Sequence, residues 1–148
     1  MKISVQEKPF SLAKELANFS AQNEGVGAIV NFVGKVRSDP ENPLRYMLIE
    51  HYAGMTDKAI RKFVEEALKR WKLIDCLVIH RFGKLKPGEE IVLVATSSKH
   101  RIEAFEAAEF LMDYLKSRAP FWKKEVSKRG EQWVQSKETD EVSLEKWS

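Results

Sequence analysis

The chain has 148 residues, a length typical of one domain, and it is 43% hydrophobic and 32% charged, which is the composition of a globular protein rather than a disordered one. Its 25 basic and 22 acidic residues leave a net charge of +3, an excess too small to indicate nucleic-acid or membrane binding by itself. The single cysteine, Cys76, excludes a disulfide within the chain and argues against a cysteine-based metal site.

Two further features bear on location and on the cysteine. The N-terminus carries charges where a signal peptide needs an apolar stretch, and no apolar run approaches the ~20 residues of a membrane span. We therefore expect a cytoplasmic protein. Cys76 lies in the apolar run 73–79, so we expect an inert core residue.

In the first half of the chain, hydrophobic periodicity predicts two helices and two strands. Residues 12–22 carry apolar side chains at helical spacing, with Ser11 as the N-cap. Short apolar or alternating runs predict strands over 28–33 and 44–49. A longer helical pattern runs to Trp71, and Thr56 is its expected N-cap.

The second half predicts two strands, a helix and a hairpin. Strands over 74–82 and 91–96 are joined through the turn sequence 86–89. A helix from about Arg101 to Ser117 ends before Pro120. The last predicted elements are listed in chain order: strand 121–126, a turn at 128–130, strand 132–135, and a loosely held tail over 136–148. This order indicates a single α+β domain with a mostly antiparallel sheet.

Basic residues follow two of these elements in a way that suits an anion. Lys35 and Arg37 come directly after the first apolar strand with Gly34, and an Arg fork binds phosphate well, although an ordinary solvated turn would look the same. His100 and Arg101 lie where a strand meets a helix, a junction with free N–H groups and a favourable dipole. The alternative there is a helix start with incidental basic residues.

A third basic group surrounds the Pro120 bend. Lys116 closes the predicted helix and Lys123 follows the bend, so the two amines would meet on one pocket. Neighbouring Phe121 and Trp122 would exclude water and lower an amine's pKa, as catalytic lysines require. The alternative is a solvated basic edge. Three scattered histidines lack the carboxylate spacing of a metal site, so we expect no metal and no other cofactor.

Four stretches together resemble the catalytic (large) subunit family of molybdopterin synthase. They are 32–37 (Phe-Val-Gly-Lys-Val-Arg), 48–56 (Leu-Ile-Glu-His-Tyr-Ala-Gly-Met-Thr), 79–83 (Ile-His-Arg-Phe-Gly) and 112–125 (Met-Asp-Tyr-Leu-Lys-Ser-Arg-Ala-Pro-Phe-Trp-Lys-Lys-Glu). The similarity runs from about residue 5 to residue 135, and the last stretch is highly specific. The loop 38–43 shows no clear match.

This resemblance implies an α/β hammerhead fold, which is an α+β arrangement, and an activity. The family converts cyclic pyranopterin monophosphate (precursor Z) into molybdopterin in molybdenum cofactor biosynthesis. It takes two sulfurs from a small ubiquitin-like subunit that ends in a Gly-Gly thiocarboxylate. It also implies a homodimer within a heterotetramer, with pocket residues shared across the dimer interface.

The resemblance assigns roles residue by residue. Lys116, beside the incoming tail, and Lys123 are the implied catalytic residues. The implied substrate-binding residues include both lysines and Lys35, Val36, Arg37, His100, Arg101, Lys124 and Glu125.

Two other functions compete with this interpretation. An RNA-binding domain would share the basic loops and aromatics, but the chain lacks an aromatic RNA-binding motif on a strand and its basic residues alternate with acids. A non-catalytic scaffold would bind a ubiquitin-like partner without turnover, and the two lysines argue against it. We therefore expect a protein and a small-molecule partner, and neither nucleic acid nor membrane.

Overall fold

The structure, a computed structural model, describes residues 1–21, 23–135 and 138–148. In chain order its elements are β1 (Lys2–Gln6), α1 (Leu12–Ser20), β2 (Ala28–Lys35), β3 (Leu44–His51), α2 (Met55–Arg70), β4 (Asp75–Arg81), β5 (Gly83–Leu85), β6 (Glu90–Ser98), α3 (Arg101–Ser117), β7 (Phe121–Ser127), β8 (Gly130–Trp133), α4 (Glu138–Leu144) and a 3-10 turn (Glu145–Trp147).

The strands form two four-stranded sheets. The first has the order β1-β4-β6-β2, in which only the β1–β4 pair is parallel. The second has the order β5-β3-β7-β8 and is antiparallel throughout. Helices and mostly antiparallel sheets confirm the predicted α+β class.

The first sheet is buried on both faces. Successive side chains of a strand point to opposite sides of the sheet, so each strand contributes to two cores. Leu77 and Ile79 of β4 pack with Phe19 of α1 on one face. Cys76 and Val78 point to the other face, into the main core with α2, α3 and the second sheet. Cys76 is 1% exposed, which confirms the predicted core position, and burial raises the pKa of its thiol to about 12.

Helix α3 lies in this main core. Its small residues Ala104 and Ala107 are fully buried, and they allow close approach to the sheet. The Thr96 hydroxyl of β6 donates a 2.7 Å hydrogen bond to the Ala104 carbonyl oxygen. The helix direction is thereby fixed, with His100 and Arg101 at one end and Lys116 at the other.

Most predicted elements are confirmed with bounds that differ by a few residues, and one capping prediction is wrong. Ser11 caps α1, since its Oγ accepts a hydrogen bond from the Lys14 N–H; Gln22, the predicted end of that helix, lies outside the described residues. Thr56 is not the N-cap of α2. The cap is Gly54 at φ 85°, while the buried Thr56 hydroxyl donates to the Tyr52 carbonyl oxygen at 2.9 Å.

Two short strands, β1 and β5, have no counterpart in the sequence prediction. Val5 of β1 packs on the main core, and β1 pairs with β4. In the sequence, the apolar and charged residues around Val5 follow no clear strand or helix periodicity. β5 holds three residues between β4 and β6, so those two strands are not joined by a simple hairpin. It pairs with β3 in the second sheet.

The C-terminal segment differs from the predicted loose tail, although residues 136 and 137 lie outside the described part. Trp147 packs edge-on against Trp71 and Phe110 at centroid distances of 5.5 and 5.6 Å. Its indole N–H donates to Asp113 Oδ2 at 2.7 Å. One aromatic residue in a polar stretch therefore anchors the segment.

None of the described helices is long and apolar enough to cross a membrane.

Replacement of Trp147 tests this anchor. Trp147→Ala removes two edge-on aromatic contacts and one hydrogen bond, so we expect it to lower the free energy of unfolding by about 2 kcal/mol. Urea unfolding followed by circular dichroism measures the change. Val142→Ala is the matched control, because Val142 is 55% exposed on the same segment. Equal stabilities of the two variants would contradict the anchoring role.

Candidate active site

A cavity of about 890 Å³ opens between β2, the C-terminal half of α3 and the β7–β8 hairpin. That volume lies in the range of small-molecule sites. Five predicted site residues line its wall: Lys35, Arg37, Lys116, Lys123 and Glu125. The cavity therefore brings together basic residues from three separate stretches of the sequence.

The two lysines converge because the chain reverses between α3 and β7. The Arg118 and Ala119 N–H groups both donate to the Tyr114 carbonyl oxygen, at 2.7 and 3.2 Å, which closes the helix. Pro120 follows and cannot continue it. Lys116 in the last turn and Lys123 in the third position of β7 then face the same cavity.

Lys123 has an altered acidity. Burial, together with the positive charge of Lys116, lowers the pKa of its amine to about 8, while the Asp140 carboxylate acts in the opposite direction. An amine with this pKa changes protonation state near neutral pH. It is therefore suited to proton transfer, whereas an ordinary lysine stays charged.

The predicted segment 123–125 is divided by strand geometry. Lys123 pairs with Ile49 and Glu125 with Met47, so both lie on the inner face of the second sheet. Lys124 lies on the outer face and is absent from the cavity lining. Its amine contacts Glu131 Oε2 at 3.3 Å and lies 5.3 Å from the Trp133 ring centre.

The predicted loop 35–37 is divided in the same way. The exposed side chains of Lys35 and Arg37 line the cavity, but Val36 is 3% exposed and packs in the core. The Val36 N–H donates to the Glu89 carbonyl oxygen at 2.9 Å, and its own carbonyl accepts from the Gly88 N–H at 2.8 Å. Val36 thus anchors the loop and is not brought into the cavity.

His100 and Arg101 lie at the far end of α3. They are exposed and do not line the cavity. Arg101 and Lys116 are fifteen positions apart on the helix, which corresponds to roughly 22 Å. Gly27 holds this end in place, because its N–H donates to the Ser98 carbonyl oxygen at 3.0 Å and a Cβ on it would lie 2.1 Å from the Lys99 carbonyl oxygen.

Sequence reasoning missed His80 as a site residue. Its ring lines the cavity, is 4% exposed and stacks on Phe121 at 3.7 Å. The signal in the sequence was a polar residue at an inward position of an apolar strand.

Within the described ranges no group of three His, Cys, Asp or Glu residues is arranged to hold a metal ion, and the expectation of no cofactor stays a prediction.

Comparisons with known proteins show which family this chain resembles. Residues 5–118 match the model of the family described as MoaE protein. The chain is 56% identical to the molybdopterin synthase catalytic subunit of Cereibacter sphaeroides, over 99% of this chain and 100% of that one. It is similar to the solved structure of a molybdopterin biosynthesis MoaE protein from Burkholderia ambifaria, with a TM-score of 0.84, 46% identity, and 99% and 97% of the two chains covered.

A more distant structure shares the fold alone. It is a complex of subunits 1 and 2 of the molybdopterin-converting factor from Helicobacter pylori, with a TM-score of 0.74, 21% identity, and 92% and 90% of the two chains covered. The family match covers most of the chain, and the cavity is lined by residues of the stretches that carry the resemblance. The chain therefore belongs to the MoaE protein family of molybdopterin synthase catalytic subunits.

Proposed function

We propose that this chain converts precursor Z into molybdopterin with sulfur from the C-terminal thiocarboxylate of a small ubiquitin-like subunit. The observation that carries the proposal is the convergence of Lys116 and Lys123 on one cavity, with the pKa of Lys123 lowered to about 8. A scaffold that only bound its partner would not need a buried lysine with a lowered pKa. The cytoplasmic location of this chain stays a prediction.

The source of sulfur supports this proposal. Cys76 is buried and its thiol pKa is raised to about 12, so it offers no thiolate near neutral pH. The sulfur must then come from a second molecule. The Helicobacter pylori protein with the same fold was solved as a complex of two subunits, and we propose a small sulfur-carrier partner here.

The substrate occupies the cavity with its phosphate toward basic side chains. Lys35 and Arg37 stand on one wall, and Arg129 of the β7–β8 turn lies on the same cavity. The partner's tail approaches Lys116, which is exposed at the end of α3. The reacting carbonyl and the pterin side chain thus meet between the two lysines.

The two lysines have different roles. The thiocarboxylate sulfur attacks a side-chain carbon of the pterin and displaces the oxygen on that carbon, which stays on the phosphate where the cyclic phosphate opens and leaves as water at the other carbon. Water then cleaves the acyl–sulfur bond, which leaves a carboxylate on the partner and sulfur on the pterin. Each step develops negative charge on oxygen and moves protons. Lys116 stabilises that charge at the carbonyl. Lys123 orients the pterin and transfers protons, in keeping with its pKa of about 8.

A pair of chains completes the site in this proposal. Phe32 at the cavity mouth is 41% exposed, and Ile102 and Phe105 beside Arg101 are 61% and 60% exposed. Exposed apolar side chains of this kind mark interfaces. Because a two-fold interface uses the same surface on both copies, pairing through these residues brings the partner copy's Arg101 region to the cavity mouth. His100 and Arg101 would then bind the phosphate from the other chain.

The function is tested by mixing the chain with a thiocarboxylated small subunit and precursor Z, followed by an assay for molybdopterin. We expect Lys116→Ala to lose nearly all turnover, and Lys123→Ala to lose less, with losses of about 10²–10⁴-fold for a positioned acid–base group. Lys124→Ala is the matched control, because its side chain faces away from the cavity.

Three outcomes would count against these assignments. Near-normal turnover of Lys116→Ala would remove that lysine from the mechanism, and failure of that variant to bind the small subunit would reassign it to docking. Absence of molybdopterin with the unaltered chain, despite a formed complex, would contradict the proposed activity.

The shared site is tested by mixing two defective variants. Arg101→Ala should bind substrate about ten- to a hundredfold more weakly, because a charge-assisted hydrogen bond is lost. If Arg101 and Lys116 of different chains serve one site, a mixed dimer of Arg101→Ala and Lys116→Ala contains one intact site. Random exchange should then restore about a quarter of normal turnover.

The alternatives give different results. If both residues of one chain served the same site, each site of a mixed dimer would carry a defect, and turnover at low substrate concentration would not rise above the mean of the two separate variants. Unchanged substrate affinity of Arg101→Ala alone would show that the phosphate lies elsewhere.

A further inference from the structure

The His80 side chain occupies an unusual position for a histidine in this chain. It follows the apolar run of β4, its residue is 4% exposed, and its ring lies in the cavity wall with Lys116 and Lys123. Phe121 stacks on it at a centroid distance of 3.7 Å and an angle of 16°. The ring is thus held flat by its neighbour on β7, two residues before Lys123.

The hydrogen bonding of this ring assigns its tautomer. Nδ1 lies 2.8 Å from the Arg81 carbonyl oxygen, which only accepts hydrogen bonds, so Nδ1 carries the hydrogen. Arg81 is fixed in turn, since its guanidinium donates to the Glu7 carbonyl oxygen at 2.9 and 3.1 Å. Nε2 is therefore left with a lone pair in a fixed direction.

The surroundings keep the ring neutral. Burial and the positive charge of Lys123 lower the His80 pKa to about 3, and Lys116 and His51 act in the same direction, while the Arg81 carbonyl opposes them. At any pH at which the protein works, Nε2 is consequently an acceptor. A carboxylate at this position would pair with the lysines, whereas a neutral imidazole accepts a hydrogen bond and leaves their charge in place.

Nε2 has no hydrogen-bond partner among the described residues, although the residue is almost fully buried. Lys123 and Lys116, the lysines whose charges act on this ring, are donors, so an N–H or O–H of a heterocycle bound beside them needs an acceptor. We propose that His80 is a substrate-binding residue whose Nε2 accepts a hydrogen bond from an N–H or O–H donor of the pterin. This inference rests on the proposed function and names the group that recognises the ring system.

Two substitutions separate this role from packing. His80→Gln keeps an acceptor oxygen near the Nε2 position, while His80→Leu keeps the volume and has none. We expect His80→Leu to weaken precursor Z binding about ten- to a hundredfold, because a buried donor of the substrate loses its partner. His80→Gln should recover most of the affinity, and the difference between the variants should stay constant from pH 6 to pH 8.

Binding is measured by calorimetry on the assembled complex, independently of turnover, and urea unfolding reports the stability of each variant. Wild-type affinity of His80→Leu would overturn the inference. Equal losses of affinity in both variants, in proportion to their losses of stability, would also overturn it, because packing would then explain the weaker binding.

A measurement on the unaltered protein decides the question even if a variant fails to fold. With ¹⁵N-labelled histidine, the His80 Nε2 resonance should report a bare nitrogen in the free protein and should shift when precursor Z is added. An unshifted Nε2 in a saturated complex would overturn the inference. Binding without turnover would contradict the sulfur transfer alone, while no binding to the unaltered complex would contradict both.

Discussion

The site depends on one amine that is held where water solvates it poorly. Lys123 is placed by the pairing of β7 with β3 and faces inward between Ile49 and the cavity. Its pKa is lowered from 10.5 to about 8, with burial as the first cause and the charge of Lys116 as the second. Both neighbours of the amine are held by the fold, since Ile49 belongs to the second sheet and Lys116 to the last turn of α3.

This placement costs stability in a defined pH window. The unfolded chain holds the Lys123 proton up to a pKa near 10.5, while the folded chain releases it near 8. Below about pH 8 the amine is charged in both states, and the folded state carries the full cost of burying it. As the pH rises from about 8 toward 10.5, the folded state loses the proton first and the cost disappears. A group that disfavours folding at neutral pH is consistent with a functional role.

Sequence patterns predicted the elements and the chemical character of the site better than its geometry. Helical spacing and the Pro120 stop predicted α3 with its observed bounds, and the motif around that proline predicted that Lys116 and Lys123 share a cavity. Strand alternation could have separated Lys124 from Lys123, but only once the inward face was known. The buried position of Val36 could not be predicted from its neighbours in sequence, because its backbone hydrogen bonds are made to the distant turn 88–89.

Other features follow from tertiary contacts that no local pattern encodes. His80 lies in the cavity wall on the first sheet, and Phe121, which stacks on its ring, belongs to the second sheet. The C-terminal segment is ordered through Trp147, whose partners Trp71 and Phe110 belong to two other helices or their ends. The length of α3 separates Arg101 from Lys116, and this separation is the reason for proposing a site built by two chains.

The central claim is that Lys123 titrates near neutral pH because it is buried beside Lys116, and a direct titration tests it. Lysine side chains labelled with ¹³C would be followed by NMR as the pH is raised. The account predicts one lysine with a midpoint near 8, which is absent in Lys123→Met and has a higher midpoint in Lys116→Met. If every lysine titrated above about 10, as in model peptides, the amine would be solvated and the account would be contradicted.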